Sequence, residues 1–299
     1  MNLLKGKAVV ITGAGRGLGE AYAVHAARAG ACVVVNDVEG ELAEAVANRI
    51  TAEGGRAVAS AQSVRDPDQA SAIVERCLAQ FGRVDGLVNN AGLHHEARPW
   101  AEDVDAAREL IEVNVLGVLY CSIAAARLMR RQRAGSIVNI ASGSLFGQRR
   151  AGTYSASKGA VASLTYSWAL DLEGLGVRVN AVCPSAWTRL VEASPAARLC
   201  CTPERTPQRI APLITYLLSD RSAGITGQVI RFTGDQLHIV RQPEFKDPVL
   251  SGAGWCTEDI EAAFEDVLGD YLEPFGLEKR LPPGLPVPES EATVSAGGD

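Results

Sequence analysis

From residue 7 to about 232 the chain alternates two hydrophobic patterns. Short β-branched runs give way to longer Ala-rich segments whose apolar residues recur at helical spacing. The runs predict strands at Ala8–Thr12, Cys32–Asn36, 57–61, Val84–Val88, Ser136–Ile140, Val177–Val182 and 228–233. The segments between them predict helices over 17–29, 40–53, 67–80, 103–132, 153–172 and about 206–219. Strands this continuously apolar are buried on both faces, so the pattern predicts an α/β fold with a parallel sheet of about seven strands covered by helices on both sides. In such a sheet crossovers are right-handed, and ligands bind beyond the carboxyl ends of the strands, where strand order reverses.

The alternation stops near residue 235. One amphipathic helix is expected near 257–269, followed by a Pro/Gly-rich tail at Pro282-Pro283-Gly284. Residues 1–235 are therefore expected to form one α/β domain, and 236–299 a C-terminal extension rather than an independent domain.

Composition narrows the function classes. The chain is 47% hydrophobic and 21% charged, with a formal net charge of −6 and a pI near 5.4, which speaks against a nucleic-acid surface. Arg127, Arg130, Arg131 and Arg133 are simply the cationic end of a helix. Seven scattered cysteines show no metal spacing and read as small buried hydrophobes, with Cys200-Cys201 an open redox alternative. No apolar run is expected to reach transmembrane length, and Lys5-Gly6-Lys7 leads directly into a strand without a signal-peptide layout. The expectation is a cytoplasmic protein with no membrane or nucleic-acid partner.

Two stretches carry chemistry. The first strand ends in Thr12-Gly13-Ala14-Gly15-Arg16-Gly17-Leu18-Gly19, at the opening of a helix. Glycines there permit a tight turn and close backbone approach to a pyrophosphate, whose charge the helix N-terminus favours. Asp37 ends the second strand, where a carboxylate would accept from adenosine ribose hydroxyls and repel a 2′-phosphate, favouring NAD over NADP. Arg16 keeps NADP open, and helix N-capping is the structural alternative for Asp37.

The second stretch, Thr153 to Lys158, sets a phenol and an amine four residues apart, with Ser142 twelve residues upstream of the tyrosine. On a helix Tyr154 and Lys158 share a face, and the ammonium would lower the phenol's pKa from about 10. Tyr154 could then exchange protons near neutral pH.

With Asn89-Asn90-Ala91-Gly92, Asn114 and Asn180-Ala181-Val182-Cys183-Pro184 added in order, residues 5 to 235 resemble the short-chain dehydrogenase/reductase family. The resemblance implies a Rossmann-like doubly wound domain and NAD-dependent hydride transfer between a secondary alcohol and a ketone. NADP dependence and a non-catalytic cofactor-binding scaffold are the alternatives. It also implies a homotetramer or homodimer built on the helices near 103–132 and 153–172. Carried over by position, Tyr154 is the general acid/base, Lys158 lowers its pKa and holds the nicotinamide ribose, and Ser142 orients the substrate oxygen. Asn114 holds a proton-relaying water. Gly13 through Gly19 and Asp37 hold the nucleotide, Asn90, Ala91 and Gly92 line its adenosine side, and Ser63-Val64 flanks the adenine. Pro184, Ser185, Trp187 and Thr188 face the nicotinamide.

The sequence departs from the family pattern in four places. Ser63 replaces the usual aspartate, and Ser185 a glycine. The Ser142–Tyr154 loop is one residue short, which leaves Ser144 as a substitute for Ser142. The segment between Thr188 and Pro207 is a short substrate lid. A looser similarity to hydroxyacyl-CoA-type dehydrogenases suggests that the region of Trp255 folds back over the active site, its own or a neighbour's. Among weaker candidates, His94-His95-Glu96 reads as a pocket rim without zinc spacing, and Arg149-Arg150 as solvent-exposed or facing an anionic substrate group. His25 reads as a packing residue. No metal is expected.

Overall fold

Alternate side chains of Ala8–Ile11 divide the hydrophobic core in two: Val9 and Ile11 face one layer, Ala8 and Val10 the other. The same logic extends across the sheet in this computed structural model, which describes residues 2–193, 198 and 201–282. Its strands are β1 (Ala8–Ile11), β2 (Cys32–Asn36), β3 (Arg56–Ser60), β4 (Gly86–Asn89), β5 (Gly135–Ile140), β6 (Val177–Pro184), β7 (Val229–Phe232) and β8 (Leu237–Ile239). The helices are α1 (Gly17–Arg28), α2 (Gly40–Ala52), α3 (Pro67–Phe81), α4 (Val104–Ile111), α5 (Gly117–Gln132), α6 (Gly152–Asp171), α7 (Arg189–Ala193), α8 (Pro207–Leu218) and α9 (Thr257–Asp266).

The sheet order is β3-β2-β1-β4-β5-β6-β7-β8. Strands β1 to β7 are parallel, and the order reverses between β1 and β4, so the crevice for a ligand opens above Ile11 and Val88. Helices α1, α2 and α8 bury Tyr22, Val46, Ile50, Ile210 and Leu217 on one face. Helices α3 and α5 bury Ile73, Cys77, Cys121 and Met129 on the other, while α6 adds Val161 and Ala162. Local signals set the ends. Asp66 caps α3 by accepting from the Gln69 N–H at 2.8 Å, Pro67 occupies its first turn, and Gly82 ends it at φ 76°.

Three features depart from the sequence expectation. The sheet has an eighth strand, β8, which pairs antiparallel with β7 just past residue 235. The long helical pattern is interrupted by a π turn at Glu112–Leu116, where the Gly117 N–H bonds the Glu112 carbonyl. Finally, Val104–Gln132 is long and apolar enough to cross a membrane, with mean hydropathy 1.5 over 18 residues, contrary to the expectation that no run reaches that length. Its Cys121, Ala125 and Met129 pack against Ile137 and Val179 of the sheet, which accounts for the apolar length as a core helix of an α/β fold.

Beyond β8 the chain carries α9 and a short hairpin closed by Phe275 and Arg280, whose backbone groups exchange hydrogen bonds at 2.8 and 2.9 Å. Pro283, Gly284, Ser194-Pro195 and Cys200 lie outside the described residues.

Candidate active site

The turn after β1 is built by close approach. A Cβ on Gly13 (φ 61°) would lie 2.7 Å from the Ala91 Cα, and one on Gly19 would lie 2.6 Å from the Asn90 Nδ2. Asn90 Nδ2 donates to the carbonyls of Thr12 and Gly13 at 3.0 and 2.8 Å, while Thr12 Oγ1 accepts from the Asn90 and Ala91 N–H groups at 3.1 Å. The end of β4 therefore clamps the glycine turn, so Asn90 and Ala91 shape the crevice through the turn's backbone. Thr12 is a tie that sequence reasoning left out of the site. Its position as the last polar residue before the first glycine was the available signal. Gly17 (φ 60°) has open space on its side-chain face, as a phosphate cradle requires, while Leu18 packs against the core.

Asp37 is buried at the end of β2. Its Oδ2 accepts from the Gly15 N–H at 3.0 Å and its Oδ1 from the Glu39 N–H at 3.1 Å. The N-cap of α2 is Glu39, so Asp37 ties the turn to β2 instead of capping a helix. Arg16 forms an ion pair with Glu39. Ser63 Oγ accepts from the Arg65 N–H at 3.2 Å, and Val64 is buried against Gly117 of α5. The open glycine cradle and the carboxylate at the tip of β2 fit a dinucleotide.

Tyr154 and Lys158 sit in the first two turns of α6, and Ser142 follows β5. The Ser142 hydroxyl neighbours the Tyr154 phenol closely enough to oppose the upward effect of burial on it, and Ser142 Oγ accepts from the Ser144 N–H at 3.2 Å. Ser144 is itself buried with its Oγ unpartnered among the described residues, so Ser142, not Ser144, meets the tyrosine.

Lys158 Nζ lies 5.5 Å from the Tyr154 ring centroid and donates to the Ile140 carbonyl at 2.8 Å. Burial pulls its ammonium down to about 8. Burial also pushes the Tyr154 phenol above its ordinary value, against the opposing effect of the Ser142 hydroxyl. The expected lowering of the phenol by lysine is thus corrected for the cofactor-free protein. Sharing a helix face brought the groups together, but desolvation of both outweighs their attraction.

Asn114 is fully buried at the π turn. Its Oδ1 accepts from the Leu93 N–H at 2.7 Å, and its Nδ2 donates to the Leu93 carbonyl at 2.9 Å and to Ser157 Oγ at 3.1 Å. Both amide protons are thereby engaged, leaving one Oδ1 lone pair for a water. A Cβ on Gly92 would lie 3.3 Å from that Oδ1 and 3.7 Å from Lys158 Nζ, so Gly92 marks where the two groups converge.

The two adjacent histidines diverge. His94 meets the Tyr154 ring edge-on at 4.6 Å between centroids, and burial holds its pKa below the ordinary value. His95 Nε2 lies 2.5 Å from Glu102 Oε1, which also accepts from Thr153 Oγ1 at 2.9 Å. The 93–102 loop is thus tied to the start of α6. His25 bonds Thr215 Oγ1 at 2.7 Å within the core. Trp187 Nε1 donates to Glu192 of α7 at 3.0 Å, the Thr188 carbonyl accepts from the Glu192 N–H at 2.9 Å, and Pro184 ends β6 beside Phe232, whose carbonyl accepts from the Ser185 N–H at 2.9 Å. Ser142, Tyr154, Lys158, Asn114 and His94 therefore form one cluster. The glycine turn and Asp37 lie across the β1/β4 crevice from it.

A fold reversing strand order at this crevice, with a glycine turn on one side and a Tyr-Lys helix on the other, defines a dinucleotide-binding oxidoreductase class. The family model described as short chain dehydrogenase matches residues 7–195, and the chain belongs to the short-chain dehydrogenase/reductase family. The chain is 38% identical over 239 residues to cis-4-hydroxycyclohexanecarboxylate dehydrogenase of Sinomonas cyclohexanicum, covering 76% of this chain and 95% of that protein. It is 35% identical over 243 residues to a 3-oxoacyl-[acyl-carrier-protein] reductase of Thermotoga maritima, covering 77% and 98%. A crystal structure of a short chain dehydrogenase from Mycobacterium avium superposes with TM-score 0.80 at 30% identity, covering 95% of this chain and 98% of that one. Solved members of the family hold either NADP or NADH.

Proposed function

We propose that this oxidoreductase interconverts a secondary alcohol and a ketone with NAD(H), using Tyr154 as general acid/base. The observation that carries the proposal is the Tyr154 phenol set between the Ser142 hydroxyl and a buried Lys158, whose Nζ lies 5.5 Å from the centroid of the phenol ring. Two hydroxyls converge where one substrate oxygen can accept from both. A bound nicotinamide supplies or accepts the hydride, and the protein contributes the proton and the orientation. In reduction Tyr154 donates its proton to the ketone oxygen as negative charge develops there, while Ser142 holds that oxygen in line. The raised phenol pKa keeps Tyr154 protonated at neutral pH, the form reduction requires. Lys158, titrating near 8, is placed to return a proton to the site. Asn114 fixes Leu93 and Ser157 beneath it and offers its remaining lone pair to a water.

The preference for NAD rests on charge. The Asp37 and Glu39 carboxylates flank the adenosine end, and Arg16 is already paired with Glu39, so a 2′-phosphate would meet two anions. A homo-oligomer built on α5 and α6 accounts for the exposure of Leu170 and Ile123, apolar residues on those helices.

Purified protein should oxidise or reduce at least one member of a panel of cyclic and linear alcohol/ketone pairs with NAD(H). Tyr154→Phe should lower that rate by at least about a hundredfold with the affinity for NADH retained. An undiminished rate in Tyr154→Phe, or a native preference for NADPH, would overturn the assignment.

A further inference from the structure

The loop between Ser142 and Tyr154 has little regular structure of its own. It consists of a short 3-10 turn at Gly143–Phe146, then two left-handed residues, Gly147 (φ 89°) and Arg150 (φ 62°). A non-glycine residue held left-handed is costly, so such a loop keeps its shape only through surrounding contacts. Some of these contacts are local, such as the Gly147 N–H donating to the Ser144 carbonyl at 2.8 Å and the Gln148 N–H to Ser155 Oγ at 3.2 Å, and the Ala97 N–H of the 93–102 loop donates to the Arg150 carbonyl at 2.7 Å.

A further set comes from about 130 residues away. The Leu277 N–H donates to the Gly147 carbonyl at 2.6 Å. Arg149 Nε reaches both Glu278 oxygens at 3.0 and 3.1 Å. Lys279 Nζ lies 5.7 Å over the Phe146 ring, and Leu277 Cδ1 would be 3.9 Å from a Cβ at Gly143, the residue after Ser142. The segment making these contacts is closed on itself by the Phe275–Arg280 bridge and by the Arg280 Nε bond to Glu278 at 3.0 Å, so it acts as a unit. Trp255, further back in the extension, is half-exposed and lies against Gly252.

We propose that the Phe275–Arg280 hairpin is a positioning element for the Ser142 loop, so that the hydroxyl orienting the substrate oxygen is held in place by the C-terminal extension. The inference deepens the function proposed above and rests on it. The hairpin touches the loop by backbone, ion pair and ring face. The nucleotide cradle at Gly13–Gly19 and Asp37 is held instead by Asn90, Ala91 and Thr12. Disturbing the hairpin should therefore impair turnover while sparing cofactor affinity.

The test pairs kinetics with backbone hydrogen exchange on the full chain. Glu278→Arg sets a cation against Arg149 and beside Lys279. Exchange of the 143–150 amides should rise about tenfold, kcat should fall about threefold to tenfold, and the Kd for NADH should stay within about twofold. Arg149→Glu combined with Glu278→Arg restores opposite charges and should recover exchange and kcat to within about threefold of the native protein. Leu277→Ala, which leaves the charges alone, should shift exchange and kcat in the same direction as Glu278→Arg. Unchanged exchange in Glu278→Arg overturns the proposal, as does faster exchange with unchanged kcat, or a double variant no better than the single one. If the native protein binds NADH but turns over no alcohol or ketone, the function assigned above fails, and the exchange arm still decides whether the hairpin holds the loop.

Discussion

Gly19→Ala would put a methyl group where the nucleotide turn has no room for one. Its Cβ would stand 2.6 Å from Asn90 Nδ2 and 2.8 Å from the Ala14 Cα, and closer still to the Gly13 carbonyl oxygen. Reaching an ordinary contact of 3.4 Å from 2.6 Å requires Asn90 to move by about 0.8 Å, and Gly13 cannot recoil because Ala91 stands behind it. That movement breaks both Asn90 bonds to the turn, at about 1 kcal/mol each, on top of about 1–3 kcal/mol for overpacking. The total is about 3–5 kcal/mol, so if even 3 kcal/mol of it falls on the bound form, NADH affinity drops by about a hundredfold. Titration of NADH fluorescence measures the affinity, and urea unfolding measures the loss carried by the fold. Gly54→Ala is the control: it has φ 84° but nothing within 4 Å, so it costs only the left-handed backbone and leaves NADH binding alone. If Gly19→Ala binds NADH within threefold of the native protein and loses no more stability than Gly54→Ala, the clamp by Asn90 and Ala91 is not what shapes the turn.

Lys158 gives a pH signature. Its folded pKa of about 8 lies below the ordinary lysine value of 10.5, so the unfolded chain binds more protons between those values. Its contribution is therefore present above 10.5 and is lost as pH falls through 8; urea unfolding of the cofactor-free protein should show stability rising over that window by about 3 kcal/mol relative to Lys158→Met, and parallel pH profiles would contradict it. Glu39→Gln releases Arg16, and kcat/KM for NADP(H) should rise about threefold to tenfold with little change for NAD(H); equal ratios in both proteins would remove the ion pair from the cofactor argument.

The strands β1 and β2 were legible almost to the residue because Ala8–Ile11 and Cys32–Asn36 are buried on both faces, and burial leaves a continuous β-branched run. Strand β8 left no such trace. Leu237 and Ile239 are exposed, and three residues pairing one edge look like coil. The cluster of Ser142, Tyr154, Lys158 and Asn114 could be anticipated from residue type and order. Its electrostatics could not, because helical spacing reports proximity but not the burial that shifts Lys158 and Tyr154 toward their neutral forms. The Leu277–Gly147 contact was equally hidden, since no local pattern marks a pairing over so long a separation. The edge-on contact of His94 with the Tyr154 ring was hidden too, because it joins a loop residue to the start of α6 and leaves no local pattern.

The π turn at Glu112–Leu116 acts as a phase shift between two helices. One extra residue turns an α-helix by about 100°, so α4 and α5 each present the face their own neighbours demand. Leu110 is buried where α4 packs against α6, Cys121 and Met129 are buried against the sheet, and Asn114 stands inward at the boundary. Deleting a single residue there would erase the offset. The chain would then have to give up either the packing of α4 or the hold of Asn114 on Leu93, so one inserted residue lets a single helical run serve two packing faces and the site at once.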